Sequence, residues 1–267
     1  MARSRALNQW PGVASRKPIK FTRESSESLP EGALRPLRIQ SGRPKVVAAI
    51  PCYNEEAFIG HIVQQAKTYV DEVIVVDDGS QDATAVVAKA AGATVVKHES
   101  NRGYGQAIAS CFKAAREADA DILVTLDGDS QHTASEIPAV LKPILRGEAD
   151  LTIGSRFISP DHEKNMPAYR KLGIKVITWL LNVGSKTKVS DSQSGFRAYS
   201  RYVVDALPVS QRGMGASVEV IARARRAHFT IREVPITCTY HRESSTMNPL
   251  THGIGVALTT LRCRGVF

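Results

Sequence analysis

Short apolar runs alternate with amphipathic stretches from residue 45 onward. KVVAAI (45–50), EVIVVDD (72–78), ATVVKH (93–98) and DILVTLD (121–127) are runs of strand length. Between them, residues 55–70, 82–91 and 104–118 carry apolar positions at helical spacing; Phe58, Ile62, Val63, Ala66 and Val70 set the pattern in the first. Apolar strands bounded by turn residues and separated by helices predict an α/β fold, doubly wound around a mostly parallel sheet flanked by helices. The second half is more mixed. Residues 135–147, 168–184 and 215–227 read as helices, 149–157 and 229–240 as strands, and 158–167 as a polar loop. The segment 189–201 has no clear period. No internal repeat is present.

The first 44 residues do not join this pattern. They hold five of the thirteen prolines, nine Lys/Arg and three Glu, so +6 of the net +9 charge lies there. The expected division is a basic, Pro-rich, disordered leader over 1–44, a folded domain over 45–250 and an amphipathic tail over 251–267. Beyond the leader the chain is nearly balanced, at 26 basic against 23 acidic residues. Aromatic content is 6% and no nucleic-acid motif is present, which argues against a nucleic-acid partner. No stretch is long and apolar enough to span a bilayer, and the N-terminus lacks the apolar region of a secretory signal. The expected compartment is cytoplasmic, including the cytoplasmic face of a membrane. Cys52, Cys111, Cys238 and Cys263 are widely spaced, which disfavours a disulfide framework or a zinc site.

In doubly wound sheets ligands bind at the carboxyl ends of the strands. Three of those ends are polar and acidic: Pro51–Glu56, Asp77–Ser80 and Asp127–Gln131. In LDGDSQH (126–132) two carboxylates one residue apart form a hard oxygen pair suited to Mg²⁺ or Mn²⁺. Asp77-Asp78-Gly79-Ser80 fits either a turn capping the next helix or a carboxylate that meets a base or ribose. Asn101-Arg102-Gly103-Tyr104-Gly105 opens a helix with glycines that let a phosphate or sugar approach the backbone.

These motifs, with GSRF (154–157), DSQSGFRAYSR (191–201) and EVPITCTYHRESST (233–246), occur in an order and spacing that resembles the family 2 inverting glycosyltransferases of GT-A fold. More narrowly they resemble the dolichyl-phosphate mannose synthase and polyprenyl-phosphate glycosyltransferase group, over about 45–250. The resemblance implies roles. Pro51, Tyr53 and Glu55 would line the base and ribose, and Asp78 would contact the base. Asp127, Gly128 and Asp129 would hold the nucleotide diphosphate, with Asp127, Asp129 and Gln131 on the metal. Arg156 and Arg242 would stabilise the leaving diphosphate; a structural salt bridge is the alternative for Arg156. Asp129, Arg156 and Asp191 are the catalytic candidates. Asp191 would act as base if the acceptor is a hydroxyl; a structural role is its alternative. The resemblance to dolichyl-phosphate mannose synthases implies a Lys near phosphate in the region where Ser245 and Thr246 stand, so this chain departs from that pattern by one cation.

The implied reaction takes a nucleotide-sugar donor, GDP- or UDP-linked, and a polyprenyl or dolichyl phosphate acceptor, at a membrane surface or with a membrane partner. Residues 168–184 mix Arg170, Lys171, Lys175 and Trp179 with apolar positions, a composition that fits an interfacial helix or a core-packed one. Arg223, Arg225 and Arg226 read as a solvated helix face. Alternative readings are transfer to a sugar hydroxyl and a non-catalytic nucleotide-sugar-binding protein. An Asp-x-Asp phosphatase is disfavoured, because that motif closes a first strand and here it closes the fourth.

Overall fold

A computed structural model describes residues 42–159, 166–211 and 213–239, together with 256, 259 and 260. Most of the leader and tail, the loop 160–165, and the positions Arg242, Ser245 and Thr246 lie outside the described residues.

Seven strands form one sheet: β1 (Val46–Cys52), β2 (Glu72–Asp77), β3 (Thr94–Lys97), β4 (Ile122–Thr125), β5 (Leu151–Ser155), β6 (Arg197–Ser200) and β7 (Ile231–Pro235), in the order β3-β2-β1-β4-β6-β5-β7. The pairs β3–β2, β2–β1, β1–β4 and β5–β7 are parallel, while β6 runs antiparallel to both β4 and β5. Among the described residues, the α-helices α1 (Ile59–Ala66), α2 (Thr84–Ala90), α3 (Tyr104–Glu117), α4 (Ile137–Leu145), α5 (Ala168–Asn182), α6 (Arg201–Ala206) and α7 (Gly215–Arg226) pack around the sheet. A 3₁₀ turn, Ala134–Glu136, leads into α4.

Every residue of β1 is buried, as expected of a strand covered on both faces. Side-chain alternation divides the core in two. Val47, Ala49, Ile74, Val76 and Leu123 meet α3 and α7 on one face. Ala48, Ile50, Val73, Val75 and Val124 meet α1 and α4 on the other. Phe112 of α3 sits edge-on to Tyr199 of β6, with ring centroids 4.9 Å apart.

β6 and α6 are the elements that the hydrophobic pattern did not yield. β6 is wholly buried, yet it reads RAYS. Arg197 is 2% exposed and donates to the carbonyls of Ser192, Ser194 and Ser217. A cation satisfied by backbone oxygens can occupy a buried strand, which makes the strand look like a loop in sequence. The expectation of a solvated arginine face on α7 also needs correction. Arg223 pairs with the buried Glu219 at 2.8 Å, and Arg225 donates to the Leu181 carbonyl and Asn182 Oδ1, both at 2.8 Å, which fastens α7 to α5.

Candidate active site

The carboxyl ends of β1, β2 and β4 meet at one edge of the sheet. Pro51 is tolerated inside β1 for a geometric reason. The Cys52 carbonyl accepts from Asp78 N on the β2 side, so alternation turns Pro51 the other way, and there the β4 ladder has ended at Thr125. Past β1, Tyr53 is exposed and Asn54 adopts a left-handed conformation at φ 57°. The turn is laced to the one after β2: Asn54 N donates to Ser80 Oγ, Glu55 N to Thr84 Oγ1, and Gln81 N to Asn54 Oδ1, all at 2.8–2.9 Å. This fixes Tyr53 and Glu55 at the edge of the site.

Asp78 is buried and its carboxylate is well supplied with donors. His98 Nδ1 lies 2.6 Å from Oδ1, Arg102 N donates to Oδ1 at 2.9 Å, and Gly103 N donates to Oδ2 at 2.8 Å. The NRGYG segment is thus folded around Asp78. Gly103 is at φ 90°, which only glycine adopts without strain.

Asp127 and Asp129 follow β4. Gly128 between them packs on β1; a Cβ there would reach within 2.5 Å of Cys52 Sγ. Asp129 Oδ1 accepts from Gln131 N, and His132 Nε2 lies 3.6 Å from Asp127 Oδ2. Burial and the Asp127 charge push the Asp129 carboxyl up, while His132 and Arg170, at the start of α5, pull it down. Glu55 is pushed up to about 7 by burial and by Asp129, Asp82 and Asp127. Three carboxylates from two loops therefore repel one another across this edge, an arrangement that favours a bound cation.

A Cβ at Gly195, just before β6, would collide with both oxygens of Asp127, so only glycine lets that carboxylate pack where it does. Among the described residues no three His, Cys, Asp or Glu side chains converge as a ready-made cation cage. The protein's share of the ligands would be Asp127 and Asp129, with the donor's phosphates supplying further oxygens. Gln131 is buried beside them, its side-chain oxygen 3.9 Å from Cys238 Sγ. Thr239 N donates to the Gln131 carbonyl, so the chain after β7 is tied to this loop.

Arg156 and Asp191 meet each other. Arg156 Nε and a terminal N–H donate to the two Asp191 oxygens at 2.6 and 2.8 Å, in a bidentate pair that is almost fully buried. Asp191 also accepts from the backbone of Arg156 and Gln193, and Arg156 holds its carboxyl below the usual range. A buried carboxylate with four donors and a lowered pKa is a poor proton acceptor, which favours the structural alternative for Asp191 over the role of base. Arg156 is likewise committed to Asp191 by two of its donors, ahead of any phosphate. Glu233 of β7 holds the same loop through Ser190 N and Asp191 N.

His98, Gly195 and Glu233 were not singled out in sequence. Only His98 carried a signal, as the polar last residue of a predicted strand shortly before the NRGYG segment. Gly195 and Glu233 act across the fold, without a local pattern.

The sequence model of the family described as "Glycosyl transferase family 2" matches residues 47–207. This chain belongs to that family. It is similar to a UDP-N-acetylglucosamine–dolichyl-phosphate N-acetylglucosaminyltransferase of Methanococcus voltae, 35% identical over 72% of this chain and 84% of the relative. It is also similar to a polyprenol monophosphomannose synthase of Mycolicibacterium smegmatis, 31% identical over 73% and 77%. Among solved structures, glucosyl-3-phosphoglycerate synthase of Mycobacterium tuberculosis, in complex with Mn²⁺, UDP and glucosyl-3-phosphoglycerate, superposes with TM-score 0.66 at 24% identity, covering 83% of this chain and 80% of that one. The family 2 chain described here is a glycosyltransferase of GT-A fold.

Proposed function

We propose that this glycosyltransferase moves a sugar from a UDP- or GDP-linked donor to a polyprenyl or dolichyl phosphate at a membrane surface, inverting the anomeric carbon and using Mg²⁺ or Mn²⁺. The observation that carries the reading is the Asp127–Asp129 pair after β4, with Glu55 near enough across the same edge that the three carboxylates repel one another. When bound, the ion supplies charge to the departing diphosphate. Asp127 and Asp129 would hold it. Pro51, Tyr53 and Glu55 would line the base and ribose, and Asp78 would accept a ring N–H. Uracil and guanine offer such a donor; cytosine and adenine present a lone pair in its place.

Two features support the lipid-phosphate acceptor. A phosphate is already anionic and needs no base, which agrees with the commitment of Asp191 to Arg156. The second is α5. Its inner face buries Ile174, Ile177 and Leu181, while Tyr169, Leu172, Val176, Trp179 and Val183 form an exposed stripe at helical spacing. Residues 166–190 include five Lys/Arg and no acid. An exposed apolar stripe with cations and a Trp fits the interface of an anionic bilayer. Two relatives are named for dolichyl and polyprenol phosphate chemistry.

The test is nucleoside diphosphate release with Mg²⁺ or Mn²⁺ across UDP- and GDP-sugars, with and without a short polyprenyl phosphate, and with Asp129→Asn as control. Release that requires the lipid phosphate and disappears in the variant supports the reading. Release indifferent to the lipid overturns the acceptor assignment.

A further inference from the structure

The ring of His98 connects three elements at the nucleotide end of the site. It lies just past β3, with Nδ1 on the Asp78 carboxylate after β2 and Nε2 2.9 Å from Ser110 Oγ on α3. His98 N also donates to the Asp77 carbonyl at 2.8 Å, so ring and backbone hold the same loop. The ring is buried, its side chain 5% exposed. Nδ1 faces a carboxylate and therefore carries the proton. Nε2 then accepts from the Ser110 hydroxyl, which can reverse its role and accept if the ring is charged. Either state keeps both hydrogen bonds.

The consequence falls on Asp78. Oδ1 accepts two donors, His98 and Arg102 N, and Oδ2 accepts one, Gly103 N. The carboxylate is clamped in one rotation, with acceptor capacity remaining on Oδ2. We infer that His98 is a positioning residue for donor recognition: by fixing the rotation of Asp78 it aims that capacity at the ring N–H of the base, and so sets affinity for the nucleoside without touching the diphosphate end. This rests on the reading of Asp78 as the base contact.

The experiment compares two substitutions that keep different halves of the ring's bonding. His98→Asn places an amide N–H near the Nδ1 position and retains the Asp78 bond. His98→Gln reaches toward Ser110 and loses it. UDP and GDP affinities are measured by calorimetry with Mn²⁺, beside Mn²⁺-pyrophosphate, which has no base. His98→Gln is expected to weaken the preferred nucleoside diphosphate roughly tenfold and raise donor KM similarly, with kcat and pyrophosphate affinity unchanged. His98→Asn is expected to stay within about threefold of the parent. Equal losses in both variants, parallel loss of pyrophosphate binding, or no change in His98→Gln would overturn the proposal. Asp78→Asn separates it from the underlying reading. If that variant discriminates nucleoside from pyrophosphate as the parent does, Asp78 is not the base contact. If Asp78→Asn loses discrimination while His98→Gln keeps it, only the His98 inference fails.

Discussion

Glu55 combines a half-buried position with three acidic neighbours. Its carboxyl, pushed from 4.5 to about 7, holds more protons in the folded chain than in the unfolded one across that interval. The stability it contributes is full below 4.5 and is lost as pH rises through about 7. Glu55→Gln is therefore expected to raise the melting temperature at pH 8 and to leave it nearly unchanged at pH 4.5; thermal melts across that range decide it. Asp191 behaves in the opposite sense. Arg156 lowers its pKa, so its contribution is present above the ordinary aspartate value and is lost as pH falls through the lowered one. Asp191→Asn at neutral pH leaves the Arg156 guanidinium buried without its counter-charge. A loss of about 3–5 kcal/mol in urea unfolding is expected. An unchanged midpoint would mean the pair is not the buried ion pair described.

At the scale of elements, the approach of β6 to the β4 loop depends on Gly195. A methyl group there has no room beside the Asp127 oxygens. Gly195→Ala is expected to cut turnover by at least about tenfold through displacement of that carboxylate, with a smaller effect on melting temperature. A variant with normal kcat and metal dependence would show that the loop moves freely. α5 is amphipathic in an unusual way, with one apolar stripe inward and another outward. Trp179→Ser and Leu172→Ser remove outward side chains only, 64% and 65% exposed. The double variant is expected to lose binding to vesicles containing anionic lipid while keeping its melting temperature and its release activity on a short polyprenyl phosphate. Co-sedimentation with anionic and neutral vesicles reads this out, and full retention on anionic vesicles would remove α5 as the contact.

For the whole molecule, the sheet acts as a frame that gathers loops far apart in sequence. A ligand bound to the native frame stabilises it by mass action. UDP or GDP with Mn²⁺ is expected to raise the melting temperature by several degrees, chelation is expected to remove most of that gain, and Asp129→Asn should abolish it. A gain that survives chelation would place the nucleotide site away from Asp127 and Asp129.

Continuous apolar runs, helical spacing and strong turn residues made β1 to β4 and α1 to α3 legible, because each of those signals is local. The acidic strand ends were legible as well, because a parallel sheet presents the residues following each strand at one edge. Proximity was not legible. Nothing local in SGF or EVP indicates that Gly195 stands against Asp127, or that Glu233 holds the backbone of Asp191 across 42 residues. Nor could composition divide α5 into its core and outer stripes, since both are apolar.

The α/β class, the alternation of elements and the placing of carboxylates at strand ends can be read from the chain alone, because local periodicity and turn chemistry carry them. Tertiary structure alone decided that β6 runs antiparallel through the sheet, that Arg156 and Asp191 satisfy each other, and that His98 clamps Asp78. Charge pairing and burial depend on which distant residues meet, and that is set by packing rather than by spacing along the chain.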